Sequence, residues 1–215
     1  MHSTYPGSVA GLAILSKTLN GKRILKNFSN TLQQVLPDTV QSGQIDIWFQ
    51  DETRVGQQGS MTRIWAEKGT RPRAIRQQQF EYSYLFGAVC PATGQAVGLV
   101  LPVVNTAAMT LHINAIADSV PEGRHAVVIV DGAGWHSPAL NTDKVTLLKL
   151  PPYSPELNPI EQVWAWLKQK WLSNRAYEDY EAIVGACCEA WNLFANDKAL
   201  IKRLCDREWA KYINT

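Results

Sequence analysis

Hydrophobic and polar positions change period along the chain. Ile45-Asp-Ile-Trp-Phe-Gln-Asp51 alternates and predicts a strand. Thr62–Glu67 is a short strand candidate. Phe80–Cys90 and Gln95–Val104 flank Pro91-Ala-Thr-Gly94, a turn composition, and predict a hairpin. His125-Ala-Val-Val-Ile-Val130 is almost continuously apolar, as expected of a strand buried on both faces. Val145–Leu150 predicts one more strand, followed by the rigid loop Pro151-Pro-Tyr-Ser-Pro155.

Helical spacing appears in five places. Residues 24–36 place Phe28, Leu32, Val35 and Leu36 on one face ahead of Pro37. Residues 106–120 predict a helix with Thr106 as N-cap and Pro121 as stop. Asn158–Trp171 carries Ile160, Val163, Trp164, Leu167 and Trp171 on one stripe. Further helices are expected near 177–194 and 198–212, with Trp191, Phe194 and Trp209 on faces that read as core rather than interface. An antiparallel meander followed by an alternating α/β half makes an α/β fold with a mixed sheet and helices packed on it.

Composition agrees with a folded chain. The 215 residues are 46% hydrophobic and 19% charged, enough to bury roughly 70% of the surface exposed when unfolded. Eight Trp predict large aromatic contacts between helices and sheet. The net charge of +2 does not argue for nucleic acid, but its distribution is uneven. Residues 1–37 contain Lys17, Lys22, Arg23 and Lys26 and no acid. Residues 54–76 contain Arg54, Arg63, Lys68, Arg71, Arg73 and Arg76 against Glu67 alone. Such clusters suit phosphates, and they equally suit a solvated face. Cys90, Cys187, Cys188 and Cys205 show no C-x-x-C spacing, so a zinc ribbon is not expected and free thiols are. The apolar run 9–15 is too short for a membrane span and lacks the cationic start of a signal peptide; a cytoplasmic protein is expected.

Three acids stand where chemistry could use them. Asp51 ends the first strand, Asp131 ends the buried strand, and Glu161 lies in the first turn of the helix after the Pro-rich loop. If the two strands are neighbours, the aspartates sit side by side and Glu161 reaches them from the helix. Three such carboxylates repel, at ~4 Å and an effective dielectric of about 20 by roughly 4 kcal/mol per pair. A divalent cation would relieve that cost, and hard oxygen ligands favour magnesium or manganese. Each residue also has a plainer reading. Asp131-Gly132 is a turn dipeptide. Asn158-Pro-Ile-Glu161 is a helix start with Asn as N-cap, Pro first and Glu third. His136 alone is more often packed or on the surface than a ligand, and Glu52 and Glu156 are acids close enough to be confused with the three.

Trp48-Phe-Gln-Asp-Glu52, Asp131-Gly-Ala-Gly-Trp-His136 and Pro151-Pro-Tyr-Ser-Pro-Glu-Leu-Asn-Pro-Ile-Glu-Gln-Val-Trp164 occur in this order. Together with Arg63-Ile-Trp65 and Gly69-Thr-Arg-Pro72 they resemble the bacterial insertion-sequence branch of the mariner superfamily of DDE transposases, from about residue 26 to about 196. The resemblance implies a ribonuclease-H-like fold with helices on both faces of the sheet. It implies Asp51, Asp131 and Glu161 as catalytic acids holding two Mg2+ or Mn2+ ions. Those ions would serve nicking at a transposon end and then attack of the liberated 3′-hydroxyl on target DNA. It implies His136 as a support of the second motif or a phosphate contact, with Gly132 letting backbone approach the site and Asn158 at the helix start. Arg63, Arg71, Arg73 and Lys168 become candidate DNA contacts; Lys168 also reads as a solvated lysine. Active relatives are implied to be homodimers bridging two DNA ends.

On this reading, residues 1–44 are a linker with a partial helix, 45–196 the catalytic domain and 197–215 a C-terminal helix. Relatives carry a long N-terminal helix-turn-helix region, which residues 1–44 do not resemble. The expectation is therefore a product of a split element or a degenerate remnant. A non-catalytic fragment that binds DNA or full-length transposase stays as the alternative to an active enzyme, and a cellular ribonuclease-H-like nuclease as a third.

Overall fold

The computed structural model describes residues 34–59, 61–70, 77–150 and 157–207, together with Leu32 and Arg73. Five strands form one sheet: β1 Ile45–Gly56, β2 Tyr82–Cys90, β3 Gln95–Leu101, β4 His125–Val130 and β5 Val145–Lys149. Their order is β3-β2-β1-β4-β5. β1 pairs antiparallel with β2 and β2 with β3, whereas β1–β4 and β4–β5 are parallel. The meander and the alternating half therefore meet at β1.

Helices cover the sheet, among them α1 Thr106–Ser119, α2 Ile160–Leu167, α3 Tyr180–Ala195 and α4 Lys198–Cys205. Strand alternation decides what each face buries. Ile45, Ile47, Phe49, Val127 and Ile129 join Ile160, Val163, Trp164, Leu167, Ile183, Trp191, Phe194, Leu200 and Ile201 in one core. Trp48, Ala126, Val128 and Val130 join Met109, Ile113 and Ile116 of α1 in the other. Helices thus lie on both faces, as expected, and β4 is buried along its whole length.

Two glycines make room for the aromatic side of the sheet. A Cβ on Gly87 would stand 2.5 Å from the Trp164 ring and 2.6 Å from that of Trp191; one on Gly98 would stand 2.4 Å from Trp191 Nε1. These two glycines are partners across β2 and β3. At the opposite end of the sheet, Arg124 binds both carboxylate oxygens of buried Asp46 and ties the start of β4 to the start of β1. That bidentate pair supports the register in which Ile45 faces His125.

Several sequence expectations change. Residues 62–67 form no strand. The run is instead exposed and irregular, with Thr62 clasped by the Asn174 side chain through contacts of 3.1 Å to its N, O and Oγ1. Asn105, not Thr106, caps α1, its side chain accepting from Ala108 N at 2.8 Å. The helix expected to run to Trp171 keeps α-helical bonding only to Leu167. Its last turn, Lys168–Leu172, is π-helical and carries Leu172 into the core. Of the helix expected over 24–36, Leu32, Gln34 and Val35 are described and helical, and Leu32 is buried. The loop 151–155 and Trp209 lie outside the described residues. Trp191 and Phe194 are core, as expected. Cys90, Cys187, Cys188 and Cys205 are free thiols.

Candidate active site

The parallel register aligns the two aspartates. Ile45 faces His125 and Phe49 faces Ile129, an offset of 80 residues that brings Asp51 level with Asp131 two positions on. The β1–β4 ladder ends at Phe49 and Ile129, while β1 stays paired to β2 as far as Gly56. A notch thus opens at the carboxyl ends of two adjacent parallel strands, where α/β sheets commonly place ligands. By alternation Asp51 follows Phe49 onto the face covered by α2, whereas Asp131 lies just beyond β4, which ends at Val130.

Glu161 reaches that face from the first turn of α2. Asn158 sets where the helix begins: its Nδ2 donates to Gln50 O at 2.9 Å, and its Oδ1 accepts from Ile160 N at 3.3 Å. One buried side chain thereby ties the helix start to the strand residue next to Asp51. The helical bonding begins one residue later than the sequence suggests, with Pro159 in the cap position.

Asp51 is partly buried, and Trp164 Nε1 donates to its Oδ2 at 2.8 Å. Burial raises its carboxyl to about 7, helped by the charges of Glu161 and Glu52 and opposed by the Trp164 hydrogen bond and the Glu52 backbone N–H. A carboxyl raised in this way keeps its proton to higher pH than usual, and a cation could take that proton's place. Asp131 is more open, with its side chain 57% exposed. Its Oδ1 accepts from Ala133 N at 2.9 Å and stands 2.9 Å from His136 Nδ1. That imidazole nitrogen also faces the Asp131 carbonyl oxygen at 3.2 Å. Since both partners are acceptors, Nδ1 carries the hydrogen. Burial pushes the His136 ring down in pKa, but the nearby Glu52 carboxylate and the contacts with Asp131 outweigh it, for a net rise.

Asp51 lies on the α2 face of β1, Asp131 follows β4 directly, and Glu161 is exposed on the first turn of α2, near enough for its charge to help raise the Asp51 carboxyl. Among the described residues, no three His, Cys, Asp or Glu side chains are already drawn together around a cation position. The donor set itself, three carboxylates of which one is pushed to about 7, suits a hard divalent cation.

The other sequence candidates fall in different places. His136 is buried and Gly132 is exposed. A Cβ on Gly132 or Gly134 would meet open space, so nothing here demands a glycine for close approach. Arg63 and Arg73 are exposed in the irregular segment between β1 and β2, and Arg71 and Glu156 lie outside the described residues. Lys168 lines a cleft of about 190 Å³ with Arg54, Phe80, Glu81 and Tyr82, in the turn that continues α2. The Arg54 guanidinium lies over the Tyr82 ring at 5.1 Å.

Two contributors escaped the sequence reading. Trp164 reads there as one residue of an apolar stripe. Its three-residue spacing from Glu161, which puts both on one helix face, was the available signal. Glu52 reads as a bystander, yet its carboxylate is nearly buried on the α1 side of the sheet.

A mixed five-stranded sheet in this order, with helices on both faces, is the ribonuclease-H-like fold. The chain belongs to the DDE superfamily endonucleases, whose family model matches residues 46–184, more than half of its length. It is 50% identical over 131 residues to the uncharacterized protein y4pE/y4sA of Sinorhizobium fredii (strain NBRC 101917 / NGR234), covering 60% of this chain and 97% of that protein. Its fold is similar to that of the Mos1 mariner transposase. The match to the Mos1 strand transfer complex has a TM-score of 0.61 at 16% identity, over 95% of this chain and 60% of the other. The match to a Mos1 paired end complex with Mg has a TM-score of 0.61 at 17% identity, over 95% and 61%. One with Mn gives 0.58 at 14%, over 99% and 65%. The chain thus spans less than two thirds of the Mos1 chains it matches. Among the described residues no helix is long and apolar enough to cross a membrane.

Proposed function

We propose that this chain is the catalytic part of a transposase that cleaves and joins DNA strands with divalent metal. The parallel pairing of β1 with β4, which ends two residues before Asp51 on one strand and before Asp131 on the other, with Glu161 on the first turn of α2, is the observation that supports it most. Asp51, Asp131 and Glu161 would hold Mg2+ or Mn2+, as a pair, and such ions supply activation of the attacking oxygen and stabilisation of the leaving one. In the first reaction a water oxygen attacks the scissile phosphorus and the 3′-oxygen leaves as a hydroxyl. In the second that 3′-hydroxyl attacks a target phosphodiester, forming one bond as another breaks. Trp164 and His136 would keep the two aspartates oriented. Arg63, Arg73 and the cleft with Lys168 and Arg54 would carry the phosphate backbone towards the acids; neither Lys168 nor Arg54 forms an ion pair among the described residues. Transposon ends and target DNA are the proposed partners, with two copies of the chain in the active assembly.

Calorimetric titration of manganese, with and without DNA, tests the metal site. Saturable binding that disappears in the Asp51→Asn/Asp131→Asn double variant is expected, together with metal-dependent nicking of duplex DNA. Absence of binding in both titrations would instead favour a non-catalytic fragment that binds DNA or a longer transposase. A preference for RNA–DNA hybrid over duplex DNA would favour a cellular nuclease.

A further inference from the structure

Asp51 and Glu52 are consecutive on β1 and so face opposite sides of the sheet. Asp51 lies on the α2 face. Glu52 lies on the α1 face with its side chain only 8% exposed. A carboxylate removed from water to that degree is costly unless it is bonded. Its partners come from one loop: Trp135 Nε1 donates to Oε1 at 3.2 Å, and His136 Nε2 stands 3.5 Å from the same oxygen. His136 is itself fully buried, and its other nitrogen holds Asp131 Oδ1 at 2.9 Å. A line of contacts thus runs from β1 through Glu52 and His136 to the Asp131 carboxylate, its Glu52–His136 step a 3.5 Å ion-pair contact without hydrogen-bond geometry. It begins one residue from Asp51 and lies beyond Phe49 and Ile129, where the β1–β4 backbone ladder has stopped.

We propose that Glu52 is a positioning residue for Asp131: from the α1 side of the sheet it braces Trp135 and His136, so that the imidazole holds Asp131 Oδ1 and leaves Oδ2 for a cation. This rests on the proposed role of Asp131 as a metal ligand. Strand alternation removes Glu52 from the ligand set itself, although it is adjacent to Asp51. The side-chain bridge does at the strand ends what the ladder does further down, fixing the distance between the two aspartates. Partners behind a metal ligand of this kind typically change metal affinity about 10- to 100-fold when removed.

The test combines a readout without metal and one with it, on the full chain. In metal-free protein, the His136 Nδ1–H proton is expected as a slowly exchanging imidazole resonance that His136→Gln removes. Glu52→Gln should shift that resonance and speed its exchange. In manganese calorimetry, Glu52→Gln should weaken affinity about 10-fold with unchanged stoichiometry. The Glu52→Gln/His136→Gln double variant should bind no more weakly than His136→Gln alone, because the two act in series. If Glu52→Gln does not fold, Trp135→Phe removes one of the two contacts and should shift the same resonance. An unchanged resonance and affinity would overturn the proposal. So would additive losses in the double variant, or a drop in bound ions per chain, which would make Glu52 a ligand. Wild-type protein that binds no manganese even with DNA would sink the metal-site reading, while the imidazole resonance would still decide the brace.

Discussion

Trp164 donates its indole N–H to Asp51 Oδ2 at 2.8 Å, so a residue of the α2 core stripe also orients the first acid of the site. Opposite Asp51 on β2 stands Gly87, whose missing side chain leaves room for the Trp164 ring. Packing and acid placement therefore depend on each other here.

Replacing Trp164 with Phe keeps most of the ring contacts and deletes the hydrogen bond. The expected cost is about 1–2 kcal/mol of stability. Manganese affinity should fall several-fold, because the Asp51 carboxylate is free to rotate and its pKa rises further without the donor. Calorimetry beside thermal unfolding measures both; unchanged affinity would show that the bond serves packing alone.

Gly87→Ala should be worse than its size suggests. Its Cβ would meet two tryptophan rings at 2.5 and 2.6 Å, so Trp164 or Trp191 must move. About 1–3 kcal/mol of destabilisation is expected, with a change in tryptophan fluorescence of the folded protein. Denaturant unfolding followed by fluorescence checks both.

Two buried groups give stability opposite pH dependences. Asp51 is pushed up to about 7 in the folded chain from an ordinary 3.8, so the folded chain holds the extra proton between these values, and its contribution falls as pH rises through them. His112 is pushed by burial to about 4 from 6.5, so the folded chain holds fewer protons there, and its contribution falls as pH drops through that window. Asp51→Asn removes the first slope. Between about 6.5 and 4, the variant should lose stability on acidification more steeply than wild type, by up to about 1.4 kcal/mol per pH unit. Urea midpoints across that window measure it.

Arg124→Ala should separate fold from site. It leaves buried Asp46 without its bidentate partner at the end of the sheet opposite the acids, and about 2–3 kcal/mol of stability should be lost. In protein that remains folded, manganese affinity should match wild type.

Lys168→Ala and Arg63→Ala probe the proposed DNA track. Each should weaken DNA binding whatever the sequence and reduce the slope of log affinity against log salt by about 1. An unchanged slope for Lys168→Ala would return that lysine to the solvated face it equally resembles in sequence.

Local periodicity determined much of this protein by itself. The hairpin around residues 91–94, the buried strand 125–130 and the stripe Ile160–Leu167 are legible because alternation and 3.6-residue spacing record which side of each element avoids water. The positions of Asp131 and Glu161 at element ends are legible for the same reason, whereas β1 runs on past Asp51 to Gly56 instead of ending there. Only the tertiary structure decided which strands pair and which face each acid takes. The run 62–67 reads as a short strand, but it joins no ladder and is held instead by the Asn174 side chain. Asp51 and Glu52 are equivalent acids in a one-dimensional reading. One residue of strand reverses the direction of a side chain, so Asp51 meets Trp164 on the α2 side while Glu52 meets Trp135 and His136 on the other. Those contacts join residues 83 or more positions apart, a distance at which local spacing carries no information and only packing brings groups together.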